Sequence, residues 1–279
     1  MSKPLAAMSA LSASYDGFPA LHAVDLTLPE ERIIAFCGPN GSGKSTALKV
    51  LRALHAPSGG TAEVAGKALD EWTPRALARE IAMLSQSPDA PEDMSVSDLA
   101  MLGRYSRRSR FSGPSAEDRR AVESALRTTG MDALSTRSIG QLSGGQVQRA
   151  WIAMTLAQDA PRIFLDEPTN HLDIAHALEI LDLLVMLNRR EKRSFVIVLH
   201  DLNHALRYAD HVVLFDNGRI AAEGATRDVL TEERISAVFD IDCRILPLPE
   251  TDLPVIVPLS RQPGSAYSGS TSAGGSSTS

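Results

Sequence analysis

The stretch Gly38-Pro39-Asn40-Gly41-Ser42-Gly43-Lys44-Ser45-Thr46 stands between an unbroken apolar run, RIIAFC at 32–37, and the helix-patterned STALKVLRAL. That arrangement restricts the fold severely. A buried strand ending in glycine, a loop poor in side chains and an immediate helix leave the backbone N–H groups converging on one place, where an anion fits. In the pattern G-x-x-x-x-G-K-[ST] the loop wraps a β-phosphate, Lys44 reaches the β- and γ-oxygens, and the Ser45 hydroxyl ligates Mg²⁺. A dinucleotide loop would need a third glycine where Thr46 stands, counting from Gly41.

The remaining pattern places this loop in an α/β fold. Residues 1–35 carry alternating segments such as HAVDLTL that read as strands, and GGTAEVAG at 59–66 reads as a hairpin. From about 88 to 158 the texture is helical, with Ser115 and Asp118 as a capping box and Gly130 as a stop. From 162 strands and helices alternate: RIFLD, IAHALEILDLLVML, SFVIVLH, a helix from Leu202, then HVVLFD. Such alternation implies a parallel sheet with helices on its faces. One domain is expected over 1–250, including the helical part at about 88–158, then an extension over 251–262 and a Ser/Gly-rich disordered tail over 263–279.

RIFLDEP ends an apolar strand in two carboxylates. Asp166 fits a partner for Mg²⁺ at the strand edge, and Glu167 can take the proton from an attacking water. Gln86, after IAMLS, can reach the cation or the water with its amide oxygen. His200, after SFVIVL, can bond a γ-phosphate, and Tyr15, before the first hairpin, can stack on an adenine. His200 and His204 have i, i+4 spacing, but His200 ends a strand and no third ligand is evident, so no metal site is expected there.

QLSGGQVQRA at 141–150 adds a second anion seat, a capped helix start with bare N–H groups at Ser143, Gly144 and Gly145. One chain has no evident use for two such seats. Two chains packed head to tail would use both, each covering the γ-phosphate held by the other's loop.

The ordered set Tyr15, GPNGSGKST, Gln86, LSGGQ, FLDEP, NHLD and His200 resembles the ATP-binding cassette family over roughly residues 5–250. The resemblance implies a RecA-like core, an N-terminal antiparallel β subdomain and an α-helical signature subdomain. It implies ATP and Mg²⁺ as ligands, with an A-loop aromatic at Tyr15, a Walker A loop over 38–46 and a Q-loop glutamine at Gln86. It further implies a signature at Leu142, Ser143, Gly144, Gly145 and Gln146, a Walker B aspartate at Asp166 and a catalytic glutamate at Glu167. A D-loop aspartate falls at Asp173 and a switch histidine at His200. Ser85 stands where that family often has proline.

VSDLAMLGRYSRRS at 96–109, RAWIAMTLAQD at 149–159 and DIAHALEILDLL at 173–184 are similar to the ATPase subunits of bacterial iron–siderophore importers, ferric hydroxamates in particular; haem or vitamin B12 are the alternative cargoes. That resemblance implies a homodimer under a separate membrane permease fed by a periplasmic binding protein, peripheral on the cytoplasmic face of the inner membrane. The rival is a soluble non-transport cassette ATPase. Repair types insert long coiled coils and translation types hold two cassettes, and neither feature is present; a small-molecule kinase would have no use for LSGGQ.

Composition agrees. The 279 residues are 43% hydrophobic and 22% charged, enough for a core without disulfide or metal, and Cys37 and Cys243 lack pairing or ligand spacing. A net charge of −6 argues against nucleic acid as a partner. The cluster Arg104, Arg107, Arg108 and Arg110 is therefore read as a solvated loop or a contact with permease or anionic headgroups. The longest apolar runs, LLVML and SFVIVL, are core-sized, and serines interrupt the signal-like start after Lys3, so the chain is read as cytosolic.

Overall fold

The computed structural model describes residues 3–86, 88–108, 113–249, 251 and 253–260. The expected tail at 263–279 and Arg110 lie outside these residues. The strands are β1 Ala6–Tyr15, β2 Phe18–Leu28, β3 Ile33–Cys37, β4 Gly59–Val64, β5 Lys67–Ala68, β6 Ile81–Leu84, β7 Arg162–Asp166, β8 Ser194–Val198, β9 His211–Asp216, β10 Arg219–Ala225, β11 Asp242–Leu246 and β12 Val255–Leu259. The helices are α1 Lys44–Leu51, α2 Pro74–Glu80, α3 Val96–Leu102, α4 Ala116–Thr128, α5 Gly144–Ala157, α6 Ile174–Glu191, α7 Leu202–Tyr208, α8 Thr226–Val229 and α9 Glu232–Phe239.

A central sheet runs β10-β9-β3-β8-β7-β6, parallel from β9 to β6 with β10 antiparallel at the edge, and a separate antiparallel sheet runs β2-β1-β4-β5. The apolar runs of β3, β7 and β8 have no polar face because each strand serves two cores. Successive side chains point to opposite sides of a strand. Ile33, Ala35, Cys37, Ile163, Leu165, Phe195 and Ile197 therefore pack among helices α3–α7, whereas Ile34, Phe36, Phe164, Val196 and Val198 pack with α1 and the antiparallel sheet. Registry sets the strand ends level: Val198 lies opposite both Phe36 and Asp166. The loops after β3, β7 and β8 thus leave one carboxyl edge of the sheet, where open α/β sheets bind ligands.

The helices at 88–158 include α3, α4 and α5, and α4 starts on the expected reciprocal box: Ser115 Oγ accepts from Asp118 N, and Asp118 Oδ2 accepts from Ser115 N. Here the reading of the arginine cluster is corrected. Arg104 is 1% exposed. Its Nε donates to Asp118 Oδ1 at 2.9 Å, Nη1 to Ala157 O at 3.0 Å and Nη2 to Glu117 Oε1 at 3.3 Å. Arg107 donates to the carbonyls of Gln158 and Asp159. Arg104 is spent inside the protein, clamping α4 to the end of α5, because a buried guanidinium needs acceptors that solvent cannot supply, while the part-exposed Arg107 holds the same end of α5.

Two further features escaped the pattern. Helix α2 starts at Thr73, whose hydroxyl accepts from Ala76 N, with Pro74 at its first position. Beyond α9, β11 pairs with β12, and the Asn203 amide on α7 bonds the Ile256 backbone twice, at 2.8 and 3.1 Å. No described helix is long and apolar enough to cross a membrane.

Candidate functional site

The loop after β3 is built by close backbone approach. A Cβ on Gly38, at φ +144°, would sit 2.2 Å from Phe215 O, and one on Gly43, at φ +103°, would meet Leu21 and Ala20 O. The tight loop carries the chain into α1, so Lys44, Ser45 and Thr46 occupy its first turn. Lys44 Nζ donates to Gly38 O at 2.8 Å and Pro39 O at 2.7 Å, and Ser42 Oγ lies 3.5 Å away. Burial lowers the Lys44 pKa, while its interactions with Cys37, Glu167 and Asp166 act the other way.

Ser45 Oγ donates to Asp166 Oδ1 at 2.7 Å. Asp166 ends β7, 2% exposed, and its carboxyl is raised above the usual range, chiefly by burial. The Ser45 bond opposes that shift, Glu167 adds to it, and Lys49 and Lys44 oppose it. A hydroxyl and a carboxylate at this spacing form the hard oxygen pair that a small divalent cation takes.

Glu167 adopts φ +56°, so its side chain leaves in another direction from that of Asp166. Its carboxylate collects three partners: Gln86 Nε2 donates to Oε2 at 2.7 Å, Asn170 Nδ2 donates to Oε2 at 3.0 Å, and His200 Nε2 lies 2.6 Å from Oε1. His200 therefore faces the glutamate rather than standing alone at a strand end. Asn170 was not singled out in the sequence. A turn in which Asn170 N bonds Glu167 O returns its amide to the carboxylate, and a polar residue three places past the strand-end acid was the available signal.

These groups line one cavity of about 620 Å³, running from Tyr15 past Lys44 and Ser45 to Gln86, Glu167 and His200. Asn40, Gly41, Gly43, Thr46 and Asn170 share its wall. Tyr15 ends β1 at the hairpin rather than preceding it, and its ring stacks on His55 with centroids 4.2 Å apart. His55 Nε2 in turn lies 3.0 Å from Ser14 O. No periodicity linked His55 to Tyr15, since the two meet only through the sheet.

The expected second anion seat lies elsewhere. Among the described residues lining the cavity, none comes from Leu142–Gln146 and none is Asp173. Ser143 caps α5, its hydroxyl accepting from Gln146 N while Gln146 Oε1 accepts from Ser143 N. Ser143 and Gly144 are exposed. Asp173 caps α6, accepting from His176 N at 2.9 Å and His176 Nδ1 at 2.8 Å. The His176 backbone and ring bonds, in that order, hold the Asp173 carboxyl below its ordinary range.

The ABC transporter family profile matches residues 21–170. The achromobactin transport ATP-binding protein of Dickeya dadantii is 44% identical over 90% of this chain and 94% of its own. The ferric enterobactin transport ATP-binding protein of Escherichia coli is 39% identical over 90% and 93%, and the iron(3+)-hydroxamate import ATP-binding protein of Bacillus subtilis 39% over 88% and 91%. Among solved structures, an inward-facing metal-chelate type ABC transporter superposes with a TM-score of 0.81 at 28% identity, over 92% of this chain and 98% of that one. A dimeric bacterial ABC transporter cassette gives 0.71 at 26%, over 80% and 99%. Similar along nearly its whole length to transport ATP-binding proteins, this chain belongs to the ABC transporter family and is an ATP-binding subunit that hydrolyses ATP to drive transport.

Proposed function

We propose that the chain powers import of an iron–siderophore complex through a separate membrane permease, as a homodimer on the cytoplasmic face of the membrane. The observation that carries this reading is similarity to siderophore and iron-hydroxamate transport ATPases along nearly the whole chain. Cargo itself reaches the permease from a periplasmic binding protein, so this chain's residues act on ATP alone.

In this reading Tyr15 stacks on the adenine, the amides from Gly38 to Gly43 wrap the phosphates, and Lys44 turns from the loop carbonyls to the β- and γ-oxygens. Ser45 and Asp166, with Gln86, would hold Mg²⁺, which neutralises charge on the phosphates. Glu167, oriented by Gln86, Asn170 and His200, accepts a proton from the attacking water as the bond from γ-phosphorus to the bridging oxygen breaks. The signature N–H groups of a second copy cover the γ-phosphate; the absence of Leu142–Gln146 from the described cavity wall supports a site completed by a partner. Closure around ATP and reopening after hydrolysis transmit force to the permease.

Lys44→Ala is expected to weaken ATP affinity about 10–100-fold, the scale of a lost charge-assisted hydrogen bond. Titration with a fluorescent ATP analogue measures it, and unchanged affinity removes Lys44 from the phosphate site. The cargo is tested by uptake of radioactive iron, supplied as a ferric hydroxamate, in the source strain lacking this chain. Uptake should fall and return only with the wild-type chain. Undiminished uptake overturns the siderophore cargo and leaves the ATPase standing.

A further inference from the structure

Gly145, the second residue of α5, is buried, and a Cβ there would lie 2.8 Å from His176 Cδ2 and 3.0 Å from Cγ. The His176 ring therefore lies flush against the second anion seat. Its opposite edge is fixed, because Nδ1 donates to Asp173 and its own backbone N–H bonds the same carboxylate. The contact continues on both sides. Gln148 Nε2 donates to Pro168 O at 2.8 Å, immediately after Glu167, and Arg149 on α5 pairs with Glu179 on α6. The start of α5 is thus joined to the stretch 168–179 at three points, and the His176 ring is the one that touches the seat itself.

From this geometry we infer that His176 is a positioning residue: a strut between Asp173 and Gly145 that holds the signature turn at a set distance from its own chain's catalytic loop. The inference rests on the head-to-tail reading of the two seats. Each chain's signature serves the partner's ATP, while its Glu167 serves its own. A rigid link between them makes closure over one nucleotide move the groups at the other. The side chain of His176 is 41% exposed, so its removal leaves the fold intact.

The test uses the full chain carrying Glu167→Gln, in which ATP persists. Half-maximal ATP for dimerisation is read by sedimentation, and ATP affinity is read separately at dilution where the chain is monomeric. Adding His176→Ala should raise the ATP needed for dimerisation about tenfold, the scale of a coupling lost with the ring's packing against Gly145, with monomer affinity unchanged. His176→Asn, which can still bond Asp173 but is too short to reach Gly145, should be equally impaired. Dimerisation of both variants at the parent's ATP concentration overturns the strut. Recovery by His176→Asn alone assigns His176 to capping α6 and also overturns it. A parent that stays monomeric at every ATP concentration instead overturns the head-to-tail reading, and the strut with it.

Discussion

Glu167→Gln is expected to cut ATP turnover by about 10²–10⁴-fold while leaving ATP affinity within about twofold of wild type. The two halves of that expectation come from different parts of the site. The amide keeps the size of the carboxylate and can still accept one bond from Gln86 or Asn170, so the cavity keeps its shape. The groups proposed to bind phosphate are untouched, since Lys44 and the loop amides lie on another element. The substitution removes a base, because an amide oxygen does not take up a proton from water at neutral pH. Phosphate release and nucleotide titration measure the two effects separately. Turnover at the wild-type rate would take the proton-accepting role away from Glu167, and joint loss of affinity and turnover would make it a binding residue.

Arg104→Ala is expected to destabilise the protein by about 3–5 kcal/mol, because it strands the Asp118 carboxylate, itself 4% exposed, without its cation. At roughly 2–4 °C per kcal/mol in a chain of this size, the melting temperature should fall by on the order of 10 °C. Replacing both partners with apolar residues, Arg104→Met with Asp118→Leu, should recover much of the loss, since neither charge then needs burying. Acid provides an independent check. Burial pushes the Asp118 pKa up, but bonds from Arg104 and Ser115 outweigh it and hold the carboxyl at about 2. A depressed carboxylate contributes its stabilisation fully above the ordinary value of 3.8 and loses it as pH falls toward 2. Stability between pH 4 and 2 should fall less steeply in Asp118→Asn than in wild type. Identical slopes would show that the pair is not what holds α4 in place.

Glu167 and Arg104 also mark the limits of reading this chain. The position of Glu167 was legible because its signal is local: an apolar strand ends in two acids, and the strand's place in a parallel sheet sets where they emerge. The loop at 38–46, the capping box at 115–118, the serine cap at 143 and the alternation after 162 were legible for the same reason. Arg104 was not. Its charge among neighbouring arginines reads as solvated surface, and only the packing of α4 and α5 around it supplies the acceptors that let it be buried. His55 and His176 were missed likewise: each meets its partner across a sheet or a helix pair, through spacings that no periodicity encodes.

The amino-acid sequence by itself determined the α/β class, the glycine-rich loop leading into α1, the strand-end acids and the Ser143 cap of α5, since these depend on residues within about ten positions of one another. Tertiary structure alone decided which polar groups converge. It brought Gln86, Asn170 and His200 onto one carboxylate, placed Ser45 against Asp166, turned Arg104 inward and laid a histidine ring on Gly145. Those outcomes follow from strand order and helix packing, which set distances between residues far apart in the chain, and burial then required each polar group to find its partner there.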